Sequence, residues 1–435
     1  MASIISVAEK QQKEVLATAM GKQTTRGSRS SIVWENLEEL VRSKVQEFIQ
    51  SLLEEEIAEL LGRRKSERRR TVDSQTAYRN GFGKPRRLTL ACGTITVYRP
   101  RVRGLEQRFE SRVLPLFARR TAEVNKLIPE LYLHGLAMGD FDLALRGLLG
   151  KSAPISAGTV ARLKAGWLTE WEAWKKRPLD GLEVVYIWVD GIYVKAGLEK
   201  EKAALLVIIG ALSDGRKVVL ALEPGYREST ESWASVLRDL KQRGMNCPRA
   251  ATGDGNLGFW GALASVYPDA LEQRCWNHKV VNVLDKLPKK VQPQAKRQLT
   301  DIAYAGSQPE AEEKRDSFLV WCRKEGYRSA GETLIRDWDR MVTFYQFPPE
   351  HWRHLRTTNI VESPFAALRL RTDAAKRFRK VENATAVIWK MLMLAEQRFR
   401  RLDALEKLVG VYYGFATGER YEEAGVKREE VLAAV

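Results

Sequence analysis

The sequence predicts an α/β fold: a mixed β-sheet core split by a long helical insertion, preceded by a mainly α-helical, strongly basic region. Three observations carry this. Apolar, β-branched runs crowd the stretch from Glu183 to Leu222 and then alternate with helical segments up to Trp276. Apolar residues recur at three- and four-residue steps through 32–61, and helical patterning returns over 113–178 and 280–350. The positive charge is clumped rather than spread.

The chain has 435 residues and a formal net charge of +17, with 44% apolar and 29% charged residues. That length suits roughly three domains and a sizeable core. The composition is that of a globular chain, not a disordered one. The longest uncharged apolar run, Ala203–Leu212, falls far short of the roughly 20 residues that span a bilayer. The polar N-terminus shows no secretion signal. Cysteines stand only at 92, 247, 275 and 322, too few and too scattered for a disulfide framework. The positive excess argues for a polyanionic partner. The expectation is a cytoplasmic, nucleoid-associated protein that binds nucleic acid and no membrane.

Residues 1–30 are Gln-, Thr- and Ser-rich and read as a flexible tail. Region 31–178 is the expected DNA-binding region. Within Ile32–Leu61, residues such as Leu37, Val41, Val45, Phe48 and Leu52 mark an amphipathic helix or helix pair. Its apolar stripe would bury against another helix, in cis or in a second subunit. From Arg63 to Arg103, thirteen basic residues stand against Glu67 and Asp73, a local charge of +11. Arg63, Arg64, Lys65, Arg68, Arg69 and Arg70 lead this stretch as expected phosphate contacts. Leu88–Val97 has strand-like composition. Ile155–Leu163, capped by Ser156, reads as a short helix of the helix-turn-helix kind.

The pattern changes after Pro178. Glu183–Val189 is almost continuously apolar, as in a strand buried on both faces. Ile192–Val194, Ala203–Leu212 and Lys217–Leu222 continue the sheet, with Ser213-Asp214-Gly215 as a tight turn between the last two. A helix over Glu228–Arg243, a short strand before Gly253-Asp254-Gly255, a helix over Leu257–Val266 and a strand over Leu271–Trp276 follow. Three strands, helix, strand, helix, strand is the order of a ribonuclease H-like fold. Residues 179–280 then form the first part of the core. Residues 281–350 are a helical insertion, too long for a simple connection. Residues 351–405 complete the core, and 406–435 form a C-terminal tail. Arg353–Arg401 is a second basic stretch, with twelve basic residues against four acidic ones.

Asp190 interrupts an apolar run, between Val189 and Ile192-Tyr193-Val194. A carboxylate there is costly without a cation or good hydrogen bonds. It either caps a strand-end turn with Gly191 or belongs to a site. Asp214, within a turn, is the ordinary case. Asp254 lies between two glycines after a strand, and Glu362 lies in the first turn of a helix, where the dipole favours an acid. Two Asp on adjacent central strands and a Glu on a following helix can converge at one edge of the sheet. Carboxylates without histidines suit magnesium. Two such ions can activate a water or a 3′-hydroxyl and stabilise the leaving oxygen of a phosphodiester. Asp190, Asp254 and Glu362 are therefore the candidate catalytic and metal-binding residues, with two Mg2+ ions, or Mn2+ in their place, as cofactor. Arg369, about two helical turns beyond Glu362, either holds a phosphate or pairs with a surface acid. Arg371 is grouped with it as a DNA contact.

His134 reads as structural. Cys275-x-x-His278 together with His351 and His354 could make a zinc site, but two pairs so far apart are a weak signature. The Cys275–His278 pair reads better as shaping the site from the side.

Three blocks carry a resemblance. Tyr186-Ile187-Trp188-Val189-Asp190-Gly191 resembles the first catalytic block of Mutator-type insertion-sequence transposases. Gln273-Arg274-Cys275-Trp276-Asn277-His278 is similar to that family's Gln-Arg-Cys-x-x-His block. Arg356-Thr357-Thr358-Asn359-Ile360-Val361-Glu362-Ser363-Pro364-Phe365, with Leu368-Arg369-Leu370-Arg371-Thr372 after it, resembles the block that carries the third acid. The resemblance runs from about 31 to about 405. It implies a DDE transposase whose ribonuclease H-like core is split by a helical insertion. Asp190, Asp254 and Glu362 would be its metal-binding acids, and Cys275 and His278 signature residues without a settled role. Many relatives carry a His shortly after the second acid, where this chain has Asn256. The implied partners are the terminal inverted repeats of a mobile element and target DNA. The implied activity is strand cleavage followed by joining of the 3′-hydroxyl end to new DNA. Holding two ends implies a homodimer or higher homo-oligomer, with the Ile32–Leu61 helix as a candidate interface. Two readings compete: a catalytically idle DNA-binding regulator derived from a transposase, and a ribonuclease H-like nuclease without strand transfer.

Overall fold

The computed structural model describes residues 34, 36–68, 76–136, 140–149, 157–197, 202–225, 229–255 and 257–414. The tail at 1–30, Arg69, Arg70, Ser156 and Asn256 lie outside them. The chain divides into two compact units, Met1–Glu130 with Met138–Ser156, and Leu131–Ala137 with Ala157–Val435.

In the first unit, helix α1 (Leu37–Leu61) ends where Gly62 takes a left-handed conformation at φ 62° and returns its N–H to the last turn. Four short strands follow: β1 (Tyr78–Phe82), β2 (Arg86–Leu90), β3 (Gly93–Val97) and β4 (Pro100–Arg103). β1 pairs antiparallel with β4, and β2 with β3. The second half of α1 closes on them, with Leu53 packed among Leu88, Ile95, Val97 and Leu114. Gln50 accepts from the Tyr98 N–H and donates to its carbonyl, both at 2.9 Å, which straps the strands to the helix. The first half of α1 leaves Leu37, Leu40, Val41 and Phe48 exposed. The region is thus less helical than the sequence suggested. Strands of four or five residues alternating with arginine give no apolar run to read, and only 88–97 had declared itself. Helices α2 (Ala122–Leu133) and α3 (Phe141–Leu149) follow.

In the second unit, α4 (Ala157–Trp174) is an 18-residue helix rather than a short one. Its Trp171 is buried and donates to the Leu222 carbonyl at 3.1 Å. The expected recognition helix is therefore tied into this unit by its apolar face. The sheet consists of β5 (Val184–Val194), β6 (Ala203–Leu212), β7 (Lys217–Gly225), β8 (Ala250–Gly253) and β9 (Leu271–Arg274), in the order β7-β6-β5-β8-β9. β6 runs antiparallel to both β7 and β5, whereas β5, β8 and β9 run parallel. Helices α5 (Thr230–Gln242) and α6 (Leu257–Val266) cover one face, where Trp233, Leu237, Phe259 and Leu263 share a core with Ile187, Val189, Leu206 and Ile208. This burial on both faces is why the strands read as apolar runs. β5 runs through Asp190 and Gly191 without a break, so Asp190 is mid-strand and no turn cap. Asp214 does sit in the turn, accepting from the Arg216 N–H at 2.9 Å.

Beyond β9 the chain is helical: α7 (Trp276–Leu284), α8 (Gln292–Ala303), α9 (Gln308–Lys324), α10 (Arg328–Ile335), α11 (Trp338–Met341), a 3-10 turn at Thr343–Gln346, and α12 (Pro349–Leu355). Then come α13 (Asn359–Ala375), α14 (Val381–Glu396) and α15 (Leu405–Gly414). α15 occupies the start of the expected C-terminal tail, with Leu408 and Val411 buried. No helix among the described residues is long and apolar enough to cross a membrane.

Candidate active site

The parallel pairing of β5 with β8 aligns Trp188 with Thr252, so Asp190 and Asp254 lie two residues on along neighbouring strands. Asp254 follows the carboxyl end of β8, at the point where the sheet changes from antiparallel to parallel order, the usual place for a site in such sheets. Glu362 reaches this point from the first turn of α13.

The approach of α13 is fixed by a row of hydrogen bonds to the sheet. Trp188 Nε1 donates to the His354 carbonyl at 2.9 Å, Thr252 Oγ1 to the Leu355 carbonyl at 3.1 Å, and the Trp276 N–H to the Arg356 carbonyl at 3.0 Å. Cys275 Sγ then accepts from both the N–H and the hydroxyl of Thr358, at 3.3 and 3.2 Å. The Thr358 hydroxyl can instead turn its one proton to Glu362 Oε1, one turn further on, leaving the N–H bond to Cys275 in place. Thr358 thus links the Cys-x-x-His block to the third acid. Sequence reading quoted this threonine but gave it no role, because contacts across more than eighty residues leave no local pattern.

The charges of Glu362, Asp254 and His278 all bear on Asp190. Burial, with the charges of Glu362 and Asp254 added, pushes the Asp190 carboxyl up to about 7, against the Gly191 N–H that it accepts at 2.8 Å. Among the described residues no Lys or Arg pairs with Asp190. Hydrogen bonding to Cys275, then the charges of Cys275, Glu362 and Asp254, raises His278 to about 9. The Cys275 thiol moves the other way: bonds from His278 and Thr358 overcome its burial and hold it below the usual thiol range. The two shifts favour charge on both partners, and His278 Nδ1 lies 3.8 Å from Glu362 Oε1.

The donor set was tested against a divalent metal. Three carboxylates, one of them half-buried and paired with no Lys or Arg among the described residues, are hard oxygen donors that suit magnesium. Cys275, His278 and Glu362 also offer donor atoms within 4.8 Å of one another, a softer set that suits zinc. His351 and His354 do not join it. His351 Nδ1 pairs with the Tyr186 hydroxyl at 2.9 Å, and His354 Nε2 lies 3.3 Å from Asp403.

The basic residues fare unevenly. Arg64, Lys65 and Arg68 are exposed, while Arg63 is half-buried and donates to the Ala77 carbonyl at 2.6 Å. Arg369 is exposed on α13. Arg371 overturns its expectation as a DNA contact. It is only 2% exposed, its guanidinium lies 3.8 Å from the Tyr132 ring centre, and it donates to the Leu136 carbonyl. A two-residue step along a helix turns a side chain to the opposite face, so the neighbour of an exposed arginine points inward.

Asp190 within β5, Asp254 just beyond β8 and Glu362 in the first turn of α13 thus stand on elements of one α/β core. The family model described as "Transposase, Mutator family" matches residues 16–401, and the chain belongs to that family. It is 44% identical over 281 residues to the transposase for insertion sequence element IS6120 of Mycolicibacterium smegmatis, covering 65% of this chain and 87% of the relative. It is 39% identical over 273 residues to the transposase for insertion sequence element IST2 of Acidithiobacillus ferrooxidans, covering 62% and 92%. To the transposase for insertion sequence element ISRM5 of Rhizobium meliloti it is 26% identical over 360 residues, covering 81% and 86%. The resemblance read from the three sequence blocks is borne out, and the protein is an enzyme of the transposase class.

Proposed function

We propose that the chain is a DDE transposase that binds the terminal inverted repeats of its own element, cuts a strand there and joins the freed 3′-hydroxyl to target DNA. Asp190, Asp254 and Glu362, in a ribonuclease H-like core, would hold two magnesium ions. The observation that supports this reading is that the charges of Glu362 and Asp254 both bear on Asp190, a half-buried carboxyl that pairs with no Lys or Arg among the described residues. Bound there, the ions supply Lewis acidity at the phosphodiester and an activated oxygen nucleophile.

The remaining roles belong to the chain itself. Thr358 and His278 hold Glu362 in orientation, and the imidazolium offsets part of the acid cluster's charge. Cys275 keeps His278 protonated and anchors the start of α13. Arg369 offers an exposed guanidinium for a flanking phosphate. Arg64, Lys65 and Arg68 offer phosphate contacts in the N-terminal unit. The exposed Leu37, Leu40, Val41 and Phe48 on α1 are the face through which a homodimer or larger assembly would form.

The test is incubation of the full chain with a labelled fragment carrying the element's end, with and without magnesium. Metal-dependent cutting that leaves a 3′-hydroxyl at the element boundary, followed by joined product, supports the reading. Tight binding without cutting in magnesium or manganese favours the idle regulator, and cutting without joining favours the nuclease. The Cys275, His278 and Glu362 group favours a second reading, a zinc ion beside the acids. Metal analysis of the purified chain decides it, one zinc per chain being the supporting result.

A further inference from the structure

The helical region beyond β9 carries a pocket of about 240 Å³ beside α7, lined in part by Asn282 and Asp285, one and two turns along the helix from His278. Its floor is Arg274 and Lys279, both buried, and its rim includes Asn282, Lys286, Thr333 and Arg336. Residues 279, 282 and 286 recur at three- and four-residue steps and so share one face of α7. Arg274 and Lys279 both lean on a single carboxylate oxygen of Asp337, leaving the floor with more positive than negative charge. Arg274 is nine-tenths buried, and its Nε has no hydrogen-bond partner. At the rim, Asp285 is the one acid lining the pocket. Lys286 and Arg336 form no ion pair among the described residues. From Lys286 to Thr300 the chain carries five basic residues and no acid, so positive charge continues outward from the mouth. The pocket also adjoins the acids. The Arg274 guanidinium packs so closely on Gly255, next to Asp254, that a Cβ there would collide with it.

We propose that this pocket is a subsite for a backbone phosphate of the DNA strand entering the acids, received by Lys286, Arg336 and Asn282 above the Arg274–Lys279 floor. The inference rests on the reading of the chain as a DNA-cutting enzyme and adds where the strand is held. A phosphate diester fits the chemistry: it brings the negative charge that the floor lacks and accepts hydrogen bonds from a guanidinium, an ammonium and an amide at once.

The experiment is binding of the full chain to a duplex carrying the element's end, with single methylphosphonates placed in turn at the phosphates flanking the cleavage junction. One such neutral linkage should weaken wild-type binding about fivefold and have no further effect on Lys286→Gln or Arg336→Gln. The same variants should lose less affinity as salt rises from 50 to 200 mM, by about three- to fourfold for each charge removed. Lys286→Arg should keep the wild-type pattern, which separates charge from folding. Methylphosphonate and variant effects that multiply independently at every position overturn the subsite. Inorganic phosphate that competes for wild type but not for Lys286→Gln, without coupling to any DNA phosphate, also overturns it in favour of a free-anion site. Because the readout is binding, loss of this subsite and absence of magnesium-dependent cutting are told apart.

Discussion

The two basic stretches differ in where their charge goes. In Arg63–Arg103, Arg64, Lys65, Arg68, Lys84, Arg87, Arg101 and Arg103 face solvent, and no acid occurs between Tyr78 and Arg103. In Arg353–Arg401, several cations already have partners within the chain, some buried and some at the surface. Arg371 stacks on Tyr132, Arg356 lies 4.2 Å from the Tyr304 ring centre, Arg353 pairs with Asp403 at 2.6 Å, and Lys390 pairs with Glu170 at 2.7 Å. Equal letters therefore mean different things. A cation turned inward stabilises the fold, whereas one left outward is available to a polyanion. Asp190 is the mirror case, a half-buried acid that pairs with no Lys or Arg among the described residues, and so one that calls for a partner from outside.

The largest effect expected from this contrast is on stability. Arg371→Ala should cost about 2–3 kcal/mol, because it removes a desolvated cation–π contact and leaves the Leu136 carbonyl without its donor. Arg101→Gln should change stability by less than about 0.5 kcal/mol. Urea unfolding of the two variants checks this, and similar losses would erase the distinction. Next comes Asp190. Its folded pKa of about 7 lies above the ordinary value of 3.8, so the folded state keeps a proton that the unfolded state has released. Stability of the metal-free protein should then fall as pH rises from about 4 through about 7. Asp190→Asn should raise stability at pH 8 in chelator by on the order of 1–2 kcal/mol, less than the full shift since the side chain is partly solvated. No gain at pH 8, or a gain equally large at pH 4, would show that burial is not penalising the carboxylate. The smallest effect is on binding: Arg101→Gln and Arg103→Gln together should lower the salt slope of DNA binding by about two. An unchanged slope would mean that the outward charge of this stretch does not meet DNA.

How much of this was legible follows from what each residue's neighbours are. The three long strands β5 to β7 were readable because their middles are buried on both faces, so their apolar runs needed no long-range knowledge. Asp190 was readable for the same reason, as a charge interrupting such a run. The β1–β4 strands were largely hidden, since arginines on their outer faces break the pattern. The face of Arg371 could not be told from a count of charges. The Thr358–Cys275–His278–Glu362 cluster joins segments far apart in the chain, and only the block resemblance hinted that they belong together. Arg274 stood in a quoted block, yet its contact with Asp337 and its position against Gly255 required the fold.

The central claim is that Asp190, Asp254 and Glu362 do the chemistry while other parts of the chain hold the DNA. The most direct measurement compares wild type with Asp190→Asn, Asp254→Asn and Glu362→Gln for magnesium-dependent cutting and for binding of the same element-end fragment. Each variant should lose cutting by on the order of a thousandfold and keep end binding within about twofold. An Asp190→Asn protein that cuts at the wild-type rate would contradict it.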